Sequence, residues 1–186
     1  MAYTDLRDYL RALEQEGLLA RVGVEVDPRL ELSHVAVRAF REGGPALLFE
    51  KVRGSDLPVA ANLFGSRRRM AMALGVDDLD TLGDRVQEVL DLPRLPGKGF
   101  WQKLSALPAL ARVASYGPRL VRSSPVHQVV ATGDQVDLGE LPVLTCWPGD
   151  AGPFITLPLV ITRDPETGAR NVGMYRMQVL DRNTTA

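Results

Sequence analysis

The sequence predicts an α+β protein, with a helix–strand unit first and a region of β character after it. Three observations carry this. Up to about residue 90 the apolar residues switch between a 3.6-residue and a two-residue period. Pro93, Pro96, Gly97 and Gly99 then interrupt the pattern. From Val126 onward the texture is one of extended runs broken by turn-forming residues.

The first helix is set by Leu6, Tyr9, Leu10 and Leu13, which share one face of a helical period, and Gly17 is placed to end it. Val22, Val24 and Val26 alternate with Arg21, Gly23 and Glu25 as in a half-buried strand, closed by Asp27-Pro28. A second helix follows on Leu32, Val35, Ala36, Ala39 and Phe40 and stops at Gly43-Gly44. The apolar runs from Pro45 to Val52 and from Leu57 to Phe64 flank Gly54-Ser55, as in a strand pair. Ser66 can cap a helix reaching Leu74, with Gly75 beyond it, and another helix is expected from Leu79 to Leu90. Pro108 and Pro118 interrupt the weakly helical stretch from Phe100 to Arg122, which reads as a connector. Beyond it, strands are expected at Val126–Ala131 and Leu141–Thr145. A hairpin is expected from Phe154–Arg163 and Arg170–Leu180, closed by Asp164-Pro165-Glu166-Thr167-Gly168. The β region ends at Asn183–Ala186 straight after a strand, leaving an unpaired edge, which implies that the chain is the N-terminal piece of a longer protein.

Composition narrows the function classes. At 45% hydrophobic and 24% charged residues the 186-residue chain is of globular type. A net charge of −1 argues against a nucleic-acid partner, whose phosphates need a basic surface. The longest uncharged stretch, Ala151 to Thr162, falls short of the roughly twenty residues a spanning helix needs. Single Cys146 excludes an internal disulfide and fits a reducing cytoplasm.

No nucleotide-binding, zinc or serine-nucleophile signature is present. His34, His127 and Cys146 read as ordinary structural residues, and Arg67-Arg68-Arg69 as a solvated helix face. The informative stretch is Leu141 to Arg182. Gly149, Gly152 and Pro153 make a rigid loop of close approach. Asn171 offers a hard oxygen ligand suited to Mn²⁺, Mg²⁺ or K⁺, and Arg176 a guanidinium fork suited to a carboxylate or phosphate. From residue types alone the pair is weak, and a non-catalytic α/β module for folding or assembly stays open.

The block CWPGDAGPFITLPLVITRDPETGARNVGMYRMQVLDRNTT closely resembles the UbiD family of reversible decarboxylases that use prenylated FMN. The likeness extends upstream through LPVAANLFGSRRRMAMALG, GGPALLFEKVRG and LRDYLRALEQEGLLARVGVEVDP. It implies an N-terminal α/β domain with connector at 1–118 and, at 119–186, the opening part of a flavin-binding split β-barrel. It implies that Asn171 helps hold Mn²⁺, with K⁺ as a further ion, and that Arg176 contacts cofactor and substrate carboxylate. Thr156, Gly173, Met174, Tyr175 and Arg176 would contact the prenylated FMN. The family's histidine, glutamate and acidic proton-transfer network lie beyond Ala186, so cofactor and metal are expected only in the complete protein and the isolated chain is expected to be inactive.

The resemblance further implies an aromatic or polyprenylated acid substrate and a role in ubiquinone or menaquinone synthesis. A prenyl-FMN synthase would supply the cofactor. A homo-oligomer in the cytoplasm is expected, with an apolar substrate tail drawing it to the inner membrane face. One geometric demand follows. Asn171 and Arg176 have opposite parity on a regular strand, so a joint site needs a bulge, expected at Gly173, or a cofactor that wraps the strand edge.

Overall fold

A computed structural model describes residues 3–91, 111 and 120–186. It shows a mixed α/β architecture. Helix α1 (Leu6–Gln15) starts where the Asp5 carboxylate accepts the Asp8 amide at 2.8 Å. It leads through Gly17 into β1 (Leu19–Val26). Helix α2 (Glu31–Arg41), strands β2 (Ala46–Val52) and β3 (Val59–Ala61), and helix α3 (Arg67–Leu74) follow. A 3₁₀ turn at Leu79–Thr81 runs into α4 (Leu82–Asp91). Ser66 caps α3 by accepting the Arg69 amide, and Gly75 ends the helix at φ +64°, a left-handed conformation that suits glycine.

The sheet order is β1-β2-β3, with β1 parallel and β3 antiparallel to β2. The central strand is covered on both faces, which is why β2 reads as an apolar run rather than an alternation. On one side Leu47 and Phe49 pack with Leu32 of α2, beside Val26 of the neighbouring strand, so α2 covers that face. On the other, Ala46 packs with Tyr9 and Leu13 of α1, backed by Met72 and Ala73 of α3. Phe49, Leu13 and Leu32 have no solvent exposure. The strict alternation expected for Val22, Val24 and Val26 does not hold. One extra residue of β1 intervenes between the pairs Val22–Phe49 and Glu25–Lys51, and Val24 turns out to solvent at 69% exposure.

The expected strand at Val126–Ala131 is absent. Pro125, following Ser124, opens a 3₁₀ turn at Pro125–His127, and Val126, Val129 and Val130 are largely exposed, so their β propensity finds no partner strand. The connector expected over Phe100–Arg122 lies almost wholly outside the described residues. Leu144 and Thr145 dock on the first unit. Thr145 bridges Arg29 in parallel, its carbonyl accepts the Leu30 amide at 2.8 Å, and Leu144 packs against the Val26–Phe49 cluster. Leu30 there adopts φ 69° and ψ −48°, with the Glu31 amide bonded to the Arg29 carbonyl. This is the strained form of the γ-turn.

The C-terminal segment folds as one long hairpin in two ladders. Strands β5 (Leu159–Arg163) and β6 (Arg170–Met174) pair antiparallel around the expected turn. Asp164 Oδ1 accepts the Glu166 and Thr167 amides at 2.9 and 2.7 Å, and Gly168 supplies φ +70°. Nearer the body, β4 (Phe154–Ile155) pairs with β7 (Met177–Gln178). Leu159 and Ile161 lie across from Met174 and Val172, all four more than half exposed.

Candidate functional site

Phe154, Thr156 and Arg176 come together at the junction of these two ladders. The Phe154 amide bonds to the Leu144 carbonyl at 2.9 Å, so β4 is anchored through Leu144 to the core of the first unit. Phe154 pairs with Gln178, which makes Arg176 its diagonal neighbour on the same face, within reach of an aromatic ring. The Arg176 guanidinium carbon lies 4.1 Å from the Phe154 ring centroid, a cation–π arrangement. Asp150 approaches from the preceding loop. Its Oδ1 is 3.6 Å from Arg176 Nη1, and its Oδ2 accepts the Trp147 amide at 3.0 Å. The Asp150 side chain is 11% exposed, whereas that of Arg176 is 60% exposed.

The hairpin register bears on the remaining expected residues. Carried one residue past Ile155–Met177, it sets Thr156 across from Arg176. Asn171 stands opposite Thr162 near the hairpin tip, and both are exposed. Among the described residues no contact joins Asn171 to Arg176. The bulge expected at Gly173 lies elsewhere. Gly173 is regularly paired with Val160, and the register changes by one residue between Leu159–Met174 and Ile155–Met177, on the Thr156–Pro158 side. Pro158 has no amide to give to a ladder, which favours the irregularity there. Tyr175 folds its ring over Gly173, where an added Cβ would lie 2.8 Å from the phenol oxygen. Met174 points away on the opposite face.

Two donor sets can be weighed for a bound group. The described residues contain no cluster of three His, Cys, Asp or Glu side chains able to hold a metal ion. A flavin or carboxylate edge is better matched. Arg176 Nε and Nη2 make no hydrogen bond to another described residue, and the backbone of Tyr175 and Arg176 leaves the ladder beside exposed Thr156.

Sequence reasoning missed Asp150 and Phe154. The register of the turn ladder alone would set Phe154 on the other face, and only the irregularity at Thr156–Pro158 brings it to Arg176. For Asp150 only the fold of the Gly149–Pro153 loop reveals it. The basic run also divides. Arg67 pairs with Asp78 and Asp80 and Arg68 with Glu16, but Arg69 is 2% exposed rather than solvated. Its Nη1 donates to the Gly44 carbonyl at 3.1 Å, and its own carbonyl accepts the Tyr9 hydroxyl at 2.8 Å. Burial pushes the Tyr9 phenol above its ordinary pKa of 10.0. His34 Nδ1 lies 2.8 Å from the Leu30 carbonyl, a local helix contact. Among the described residues no helix is long and apolar enough to cross a membrane.

Comparison with known proteins identifies the relatives of this architecture. A family model for the 3-octaprenyl-4-hydroxybenzoate carboxy-lyase N-terminal domain matches residues 10–88, and one for the Rift-related domain of the same carboxy-lyase matches 119–186. Among solved structures, the UbiD-class enzyme HmfF from Pelotomaculum thermopropionicum in complex with FMN is 33% identical, with a TM-score of 0.71. The match covers 95% of this chain and 35% of that one. Vanillic acid decarboxylase of Sedimentibacter hydroxybenzoicus in its closed form is 31% identical over 97% of this chain and 36% of its own, with a TM-score of 0.72. Apo 3,4-dihydroxybenzoic acid decarboxylase from Enterobacter cloacae is 26% identical over 96% of this chain and 35% of its own, with a TM-score of 0.70. The chain thus spans about a third of the length of these structures.

Proposed function

This chain belongs to the UbiD family of carboxy-lyases, and from that premise we propose that it forms the N-terminal part of a reversible, non-oxidative decarboxylase of aromatic or α,β-unsaturated acids that uses prenylated FMN. The observation that carries the reading is the guanidinium of Arg176, laid on Phe154 with Nε and Nη2 unshared among the described residues, beside backbone that has left its ladder. FMN in one relative and prenylated FMN in an evolved form of it support the cofactor. Aromatic-acid decarboxylases among the others support the substrate class.

In this proposal residues 1–118 are an α/β domain with connector, and 119–186 open a flavin-binding split barrel. The bound cofactor supplies the reactive carbons that carry the substrate through loss of CO₂. Arg176 binds and orients the carboxylate, fixing the scissile bond and balancing the charge that remains until CO₂ departs. Thr156, Gly173, Met174 and Tyr175 line the cofactor. Asn171 is assigned to a metal whose other ligands come from outside the described residues, and no step is routed through it. A place in quinone synthesis, with a homo-oligomer and an apolar substrate tail at the membrane surface, is the physiological setting proposed.

Co-production of the longest protein encoded by this reading frame with a prenyl-FMN synthase tests the cofactor. A flavin absorption band that survives desalting is the expected result. A colourless, folded protein would overturn the assignment.

A further inference from the structure

We propose that Asp150 is a positioning residue for Arg176, holding its guanidinium on the Phe154 ring so that the opposite edge of the fork is presented to a carboxylate. The inference rests on the reading of Arg176 as the carboxylate receiver and adds to it the group that fixes its direction. Four observations converge. The Asp150 side chain is 11% exposed, although the arginine it faces is 60% exposed, so the acid lies in the wall and the base projects from it. One carboxylate oxygen is occupied by the Trp147 amide at 3.0 Å, and the Asp150 amide returns to the Trp147 carbonyl at 3.0 Å, which fixes the acid in a closed turn. The second oxygen is left for Arg176, 3.6 Å from Nη1, a distance for charge attraction rather than a hydrogen bond. The ring of Phe154 closes the third side at 4.1 Å from the guanidinium carbon.

An arginine side chain in solvent samples many rotamers, and a ligand must immobilise it on binding. A wall-mounted carboxylate and an aromatic shelf do this beforehand. They engage one terminal nitrogen and one face of the guanidinium, leaving Nε and Nη2 for a bidentate partner. The contact is electrostatic and loose enough that an incoming carboxylate can draw the guanidinium forward without breaking a hydrogen bond. The alternative role, a competing counter-ion that merely lowers the local positive charge, predicts the opposite sign on removal of the acid's charge.

Asp150→Asn separates the two, because asparagine keeps an oxygen for the Trp147 amide and so preserves the turn. The experiment follows the Arg176 Nε–Hε resonance of the 186-residue chain by NMR, with benzoate as the carboxylate probe. Expected are a restricted Nε in the wild type, a mobile Nε in Asp150→Asn with an unchanged melting temperature, and a benzoate response weakened about two- to tenfold, the cost of immobilising one side chain. Equal Nε mobility in both proteins overturns the proposal, as does a benzoate response that is unchanged or stronger in the variant. Arg176→Gln, read on neighbouring amides, tests the underlying reading separately. If wild type and Arg176→Gln respond alike to benzoate, the receiver assignment fails and the positioning role falls with it. If only Arg176→Gln loses the response, the receiver stands and the positioning role alone is refuted.

Discussion

Gly65→Ala is the substitution whose cost can be worked most directly from the structure. A Cβ at this position would overlap Asn62 Oδ1 and lie 2.8 Å from Arg69 Nη2. Neither neighbour is free to move. Asn62 donates to the Pro45 carbonyl at 2.8 Å and to the Gly44 carbonyl at 3.4 Å, and Arg69 donates to the same Gly44 carbonyl from a buried position. Displacing the asparagine forfeits one good and one marginal hydrogen bond, each worth about 0.5–1.5 kcal/mol, and disturbs a buried cation, for a total of about 2–3 kcal/mol. In a protein of this size that lowers the melting temperature by about 5–10 °C. The assay is urea unfolding followed by far-UV circular dichroism, paired with the same substitution in an Asn62→Gly background. If Asn62 is the obstacle, alanine costs about 1 kcal/mol or less once its side chain is gone, and the two changes are strongly non-additive. Full additivity, or a loss under about 0.5 kcal/mol in the wild-type background, would mean that Asn62 is not the obstacle.

Other consequences are independent of that cluster. Tyr9→Phe removes the hydroxyl donor that reaches the Arg69 and Leu63 carbonyls, and is expected to cost about 1 kcal/mol in urea unfolding. Gly173→Ala would push the Tyr175 ring off its own strand with little change in stability, because the ring is exposed and can swing away. Tyr175 ring resonances by NMR check this. The Asp164 carboxylate is held below its ordinary pKa of 3.8 by the Thr167 and Glu166 amides. Its contribution to the hairpin turn is therefore fully present above that value and is lost as pH falls further, through the lower folded pKa. Amide exchange at Thr167 should separate wild type from Asp164→Ala at pH 7, with the difference shrinking as pH falls below 3.8.

The parts of the fold that were legible are those in which local chemistry decides. Ser66 and Gly75 bound α3 because a hydroxyl cap and a left-handed terminus are properties of single residues. The Asp164–Gly168 turn was readable for the same reason, and it brings Thr156 roughly opposite residues 176–178, but the exact pairing with Arg176 comes from the register change beside Pro158. What escaped the sequence depends on partners. Val126–Ala131 has strand-forming residues but no strand beside it. The extra residue in β1 answers to the spacing of β2, not to its own valines. Gly173 looked like the place for a bulge, yet the irregularity settled beside Pro158, whose missing amide weakens the ladder on that side. Arg69 belongs to a run of three arginines, and only the position of Gly44 and Tyr9 explains why it is buried. Asn171 and Arg176 were recognised by resemblance, whereas the pair that holds Arg176, Asp150 and Phe154, needed three dimensions to be seen.

In the proposed function Arg176 receives the carboxylate of an aromatic acid at a flavin site. Exchange of labelled CO₂ into aromatic acids tests it most directly, using the longest protein this reading frame encodes, loaded with prenylated FMN. Exchange is expected in the wild type, with a loss of about 10²–10³-fold in Arg176→Ala at unchanged flavin content, the scale set by removing one charge-stabilising donor. Flavin-loaded protein that exchanges equally well with and without the guanidinium would contradict it.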